Sequence, residues 1–118
     1  MINQVTLVGR LTKSPELNYT MEGKSVLNIT LALNRNYRNA KGETDTDFVL
    51  CTLWGKIAEN TSKYCQKGAM IGLTGRIQTR YYEEGEKRKY ITEVIADSVR
   101  FINSRGKERQ TAEMSRGG

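Results

Sequence analysis

Thr74, Arg76, Gln78, Arg80 and Tyr82 occupy alternate positions along one stretch of chain. If Ile71, Leu73 and Ile77 fill a core, this row points outward. Neighbours on one face of a strand stand about 6.6 Å apart, on the scale of the phosphate spacing in a single nucleic-acid strand. The two arginines could follow such a backbone while the ring of Tyr82 offers a base its face. Base–aromatic stacking is worth about 1–3 kcal/mol per base and accepts any base, because every base has a π-face. A solvated sheet face with a tyrosine packed across strands would carry the same residues.

Arg35, Tyr37 and Arg38 form a second cluster, a tyrosine flanked by arginines in the polar run Arg35 to Gly42. Such a ring either faces solvent, ready to stack, or packs against its own loop. Phe48 and Trp54 share a strand face with Leu50. Large aromatics on a strand are usually core. These two lie too far apart to plug one layer of a small barrel, so one of them is expected at the surface. Arg10, Lys56, Lys87 and Arg88 complete the cations that could meet phosphates.

Catalytic chemistry finds little to work with. The chain has no histidine, and Glu43, Asp45, Glu83, Glu84 and Glu86 fall in hairpins and loops, where solvated charge is the default. The strand acids Asp47, Glu93 and Asp97 are too scattered for a metal nuclease. Cys51 and Cys65 alone cannot enclose a zinc, and each sits in an apolar stretch that suggests buried filler. No catalytic residue, metal or cofactor is expected.

The elements that must position these residues are mostly strands. Val5, Leu7, Gly9 and Leu11 alternate with Thr6, Val8 and Arg10. Lys13 to Lys24, with Ser14-Pro15 and Glu22-Gly23, reads as an irregular connection. Leu27, Ile29, Leu31 and Leu33 mark a second strand and Asp47 to Trp54 a third, with Arg35 to Gly42 as the loop between. From Lys56 to Lys67 the period becomes helical through Ile57, Ala58, Thr61, Tyr64 and Cys65, and Gly68 is placed to stop the helix at its C′ position. Ala69 to Tyr82 and Lys89 to Ile102 are two more strands, joined at the tip Glu83 to Arg88. Gly72 and Gly75 suit bends in a barrel better than a phosphate loop, since no helix follows them. Beyond Asn103 apolar residues stop, so 1–103 is expected as one domain and 104–118 as a disordered tail.

Three strands, a helix and a long hairpin of the fourth and fifth strands fit an all-β fold with one helix. The expected architecture is a five-stranded oligonucleotide/oligosaccharide-binding (OB) barrel, whose closure removes unpaired edges. At 118 residues there is room for one core. The net charge of +6, from 19 Lys and Arg against 13 Asp and Glu, suits a polyanion partner. No apolar run reaches membrane-spanning length and no signal-peptide pattern opens the chain, so no membrane is expected and the location implied is cytoplasmic.

At this point the residues resemble a family. Asn3 to Leu11 followed by Ser14-Pro15-Glu16-Leu17 is similar to the opening of bacterial single-stranded DNA-binding proteins. So are Asn28 to Ala32, Leu53 to Glu59, Tyr64 to Gly68 and Gly75 to Arg80, in the same order, over Met1 to about Ile102. The likeness is greatest to the Gram-positive branch, including its short competence-associated paralogue, or to a phage or plasmid copy. The resemblance implies an OB barrel assembled as a homotetramer on the nucleoid, around which single-stranded DNA wraps in replication, recombination, repair or DNA uptake. It places base stacking on Tyr37, Phe48, Trp54 and Tyr82. Tyr37, Phe48 and Tyr82 replace the family's usual tryptophans, and Val49 replaces a common histidine near subunit contacts. The acidic, phenylalanine-ended tip that recruits partner enzymes in typical members has no match in Ser115-Arg116-Gly117-Gly118, so recruitment through it is expected to be absent. A primosome-type OB protein, serving mainly as a protein docking module, is the alternative.

Overall fold

The computed structural model describes residues 1–38 and 40–103, with the side chains of all of these except 36–38. The strands are β1 (Val5–Leu11), β2 (Asn18–Tyr19), β3 (Ser25–Arg38), β4 (Thr44–Trp54), β5 (Met70–Glu84) and β6 (Lys87–Asn103), with one helix, α1 (Gly55–Tyr64), after β4. They hydrogen-bond in the order β1-β5-β6-β4-β3-β2. A further pairing of β1 with β3, Arg10 opposite Ala32 and Leu11 opposite Leu31, closes β1, β3, β4, β5 and β6 into a barrel. This is the five-stranded OB barrel with one helix that the alternation predicted. Among the described residues every ladder is antiparallel except β4 with β6, where Cys51 and Thr52 run parallel to Val94 and Ile95.

Alternation explains the core. Leu27, Ile29 and Leu31 of β3, Cys51 and Leu53 of β4, and Ile71 and Leu73 of β5 all point inward and are buried. Val94 and Ala96 supply the face from β6, and Leu11 the face from β1. Helix α1 buries Ala58 and Thr61 and packs on β3, β4 and β6.

Several boundaries depart from the sequence reading. The helix ends at Tyr64, not Lys67, because Cys65 is already extended, with its side chain buried. Gly68 therefore does not cap it; with φ +90° it lies in a turn, and its N–H donates to Leu11 O at 2.8 Å. Tying this segment to the end of β1 outweighs another helical turn. A two-residue strand, β2, interrupts the expected irregular connection by pairing Asn18 with Val26 and Tyr19 with Ser25. The polar stretch after Asn34, read as loop, instead prolongs β3 to Arg38, and β4 starts early at Thr44. Polar cross-strand pairs hold this extension: the Thr46 hydroxyl donates to Asn34 Oδ1 at 2.9 Å, and Arg35 binds Asp47. The fifth and sixth strands meet in a two-residue turn whose Gly85 has φ +65°. Residues 104–118, expected as a tail, lie outside the described residues.

Gly75 is where β5 bends away from the barrel. The ladder with β6 slips by one residue there, Thr74 opposite Ser98 but Gly75 opposite Ala96. A Cβ on Gly75 would fall 2.0 Å from the Ile95 carbonyl oxygen, whereas one on Gly72 would meet nothing nearer than 3.5 Å. Gly75→Ala is therefore expected to destabilise by about 2–3 kcal/mol, as overpacking does, and Gly72→Ala to be tolerated; thermal denaturation of the pair checks the contrast. Burial pushes the Cys51 thiol up to about 12. At pH 8 it should thus resist alkylation in the folded chain and react once the chain is unfolded, as read by mass spectrometry.

Candidate nucleic-acid interface

Because Cys51 and Leu53 turn into the core, Phe48, Leu50, Thr52 and Trp54 must face out. Both aromatics reach the surface, Phe48 at 67% and Trp54 at 43% exposure. Strand aromatics usually belong to the core, yet the inward positions of β4 are already filled by smaller side chains. Between the two rings Thr52 is buried, because β6 runs beside it and sets Ile95 and Glu93 on the same outer face.

That short parallel contact fixes a larger geometry. From it, β4 and β6 both lead back toward their hairpin tips, so the β3–β4 and β5–β6 hairpins project from the same end of the barrel. The register of β5 with β6 sets Arg76 opposite Ile95, Gln78 opposite Glu93, Arg80 opposite Ile91 and Tyr82 opposite Lys89. The whole row from Thr74 to Tyr82 therefore shares its face with Thr52 and Trp54. Where the hairpins meet, Val26, Asn28, Thr52, Trp54, Gln78, Arg80, Glu93 and Ile95 line a groove of about 220 Å³.

Polar contacts hold the groove floor. The Glu93 side chain is 3% exposed; one of its carboxylate oxygens accepts a bond from the Thr52 hydroxyl and the other from Arg80 Nε at 2.7 Å. Asn28 Oδ1 lies 3.1 Å from the same Thr52 hydroxyl. The other paired arginines bind carboxylates that are open to solvent. Arg35 holds Asp47 through two bonds of 2.9 and 3.1 Å, and Asp45 lies 3.9 Å away. Arg76 meets Asp97 at 3.4 Å. Arg88 stands 3.9 Å from Glu83, with its guanidinium 4.3 Å from the centre of the Tyr81 ring. Arg10 donates to the Gly68 carbonyl at 2.9 Å, which leaves its charge uncancelled. Lys56 and Lys87 make no ion pair among the described residues.

Residues 2–102 match the Single-strand binding protein family. The chain belongs to that family. It is 56% identical over 110 residues to single-stranded DNA-binding protein B of Bacillus subtilis, covering 92% of this chain and 97% of that one. It is 50% identical over 111 residues to a single-stranded DNA-binding protein of Halalkalibacterium halodurans, with 93% of this chain covered and 66% of that one. With single-stranded DNA-binding protein 3 of Listeria innocua it shares 50% over 106 residues, 89% of this chain and 66% of that one. The chain thus spans nearly all of the first relative and about two thirds of the other two. The family is one of binding proteins, not of enzymes.

In this member of the single-strand binding family, the structure gathers Trp54, Gln78 and Arg80 at one groove, with Thr74, Arg76 and Tyr82 on the same face of β5 outside it and Phe48 about 20 Å back along β4. Arg10, Arg35, Lys56, Arg88 and Lys87 do not line that groove. The side chains of Tyr37 and Arg38 lie outside the described residues. Sequence reasoning missed Glu93, Asn28 and Thr52 as groove residues, since nothing local marks which strands become neighbours. It also missed Tyr81 and Tyr90, which meet on the hairpin's opposite face with ring centroids 6.0 Å apart. Their signal was available: once Glu84 pairs with Lys87 about the turn, counting back sets Tyr81 opposite Tyr90.

Hydrogen bonds from Arg35 hold the Asp47 carboxyl below its usual 3.8. The pair is therefore intact above that value and is lost only as pH falls through the depressed one. The Asp47 carboxyl carbon, followed by NMR, should titrate below 3.8, and Arg35→Ala should return it toward 3.8.

Proposed function

We propose that this chain binds and protects single-stranded DNA without reading its sequence, stacking bases on Tyr37, Phe48, Trp54 and Tyr82. The observation that carries this reading is the groove at Trp54, where a half-exposed indole stands beside polar groups on a face that continues to Tyr82 and Phe48. Lys56 and Lys87 are open to phosphates. Arg10, Arg35, Arg76 and Arg88 can join them, and so can Arg38. The ion pairs of Arg35, Arg76 and Arg88 lie at the surface, where such pairs are weak, so a phosphate oxygen can replace the carboxylate readily. The names of the relatives support the same ligand.

The assembly proposed is a homotetramer, acting on the nucleoid in replication, recombination, repair or DNA uptake. Exposed Val8 and Ile102, close together over Gly72 on the outer face of β1, β5 and β6, favour burial between subunits.

Titration with oligo(dT), followed by Trp54 fluorescence, should quench the indole, and log K should fall linearly with log salt by about 0.7 per neutralised phosphate. Trp54→Ala should weaken dT, dA and dC oligonucleotides alike, by about 1–3 kcal/mol. Selective loss for one base, or a flat salt response, contradicts the reading. Weak binding without quenching favours a protein docking module instead. The mass of the free protein in solution should equal four chains.

A further inference from the structure

Arg80 invites a phosphate role by its type, yet its surroundings argue otherwise. Of the residues lining the groove, Arg80 carries the one positive charge and Glu93 the one negative. The two are bound at 2.7 Å, so the groove has no net charge. Their exposures are unequal, 50% for the arginine side chain and 3% for the glutamate. The carboxylate cannot turn away to water as Asp47 or Asp97 can, because it is buried and also holds the Thr52 hydroxyl. Opening this pair would strand a charge in the sheet, which is far more costly than separating two solvated ions. Arg80 is thus the cation least able to exchange its partner for a phosphate.

Its bond to Glu93 runs through Nε, which leaves the two terminal nitrogens to donate elsewhere. Beside them stand the Asn28 and Gln78 amides, the Trp54 ring and the apolar Val26 and Ile95. Apolar walls with neutral donors and acceptors suit a nucleobase, which is uncharged and carries acceptor atoms on its edges whatever its identity. We propose that Glu93 is a positioning residue: by cancelling and anchoring Arg80, it makes the Trp54 groove a slot for a base and bars it to a phosphate. The proposal rests on single-strand binding at this face.

The test compares salt dependence in three chains, using anisotropy of a labelled dT oligonucleotide. Glu93→Gln frees the Arg80 charge, so the slope should steepen by about 0.7, one added phosphate contact. The double variant Arg80→Gln/Glu93→Gln, which leaves no buried charge unpaired, should return to the wild-type slope while binding about three- to tenfold more weakly at every salt concentration. If Arg80 already neutralises a phosphate, Glu93→Gln leaves the slope unchanged and the double variant flattens it by about 0.7; either result overturns the proposal. Should Glu93→Gln fail to fold, the double variant against wild type still decides. Trp54→Ala separates the two levels. Unchanged affinity in that variant overturns single-strand binding at this face and the base slot with it. A clear loss, together with a flattened slope in the double variant, overturns the base slot alone.

Discussion

Cys51 and Thr52 meet Val94 and Ile95 in the one parallel ladder among the described residues, and the outer surface of the barrel depends on that short contact. Without it, β3–β4 and β5–β6 would be joined only through β1, each with its own row of outward side chains. With it, the rows merge into a single face. The same ladder divides the side chains by direction: Cys51 and Val94 go to the dry interior, while Thr52 and Ile95 floor a groove. A parallel pairing offers its hydrogen bonds at a slant and is slightly weaker per residue than an antiparallel one. Here the Thr52–Glu93 bond and the closed core on either side reinforce it. Closure also explains why Gly75 matters. The β5–β6 hairpin must lie against β4 near its middle and leave the barrel beyond, and only a residue without a Cβ lets β5 pass the Ile95 carbonyl.

Charge is arranged at two ranges. Over the whole chain a net +6 favours approach of a polyanion from any direction. At contact range most of the candidate arginines are already engaged. Arg35, Arg76 and Arg88 have acids beside them and Arg10 has a carbonyl. These pairs hold long, flexible side chains near the sheet face before any ligand arrives, which lowers the entropy still to be lost on binding. Because both partners of each ion pair are solvated, the acid can be displaced. Glu93 differs only in depth, and that difference alone turns a weak surface pair into a fixed part of the groove.

Much of the fold was legible in the residues because its rules are local. Alternation marked the barrel strands, since Leu27, Ile29 and Leu31 can share a face only in an extended chain, and the change of period at Lys56 marked the helix. What failed was non-local. The segment after Asn34 looked like loop on composition, but Arg35–Asp47 and Thr46–Asn34 pairs across the ladder make a polar strand pay its way. Gly68 looked like a helix stop, but its N–H is claimed by Leu11. The site divided along the same line. The Thr74-to-Tyr82 row was visible from its spacing alone, whereas Glu93 read as a scattered acid because its partners, Thr52 and Arg80, come from two other strands.

The indifference to base sequence proposed for this chain has a structural root. Discrimination between bases requires fixed donors and acceptors set against the edge of one of them, so that the wrong base leaves a buried group unpaired. In the proposed reading the Trp54 groove avoids such discrimination. Gln78 carries both a donor and an acceptor on one rotatable amide, and the free nitrogens of Arg80 ask only for an acceptor, which every base has. The rigid part of the groove is its floor, where Glu93 is locked to Thr52 and Arg80. In the proposed base slot that rigidity decides between base and phosphate, while the Gln78 amide stays adjustable toward a base edge.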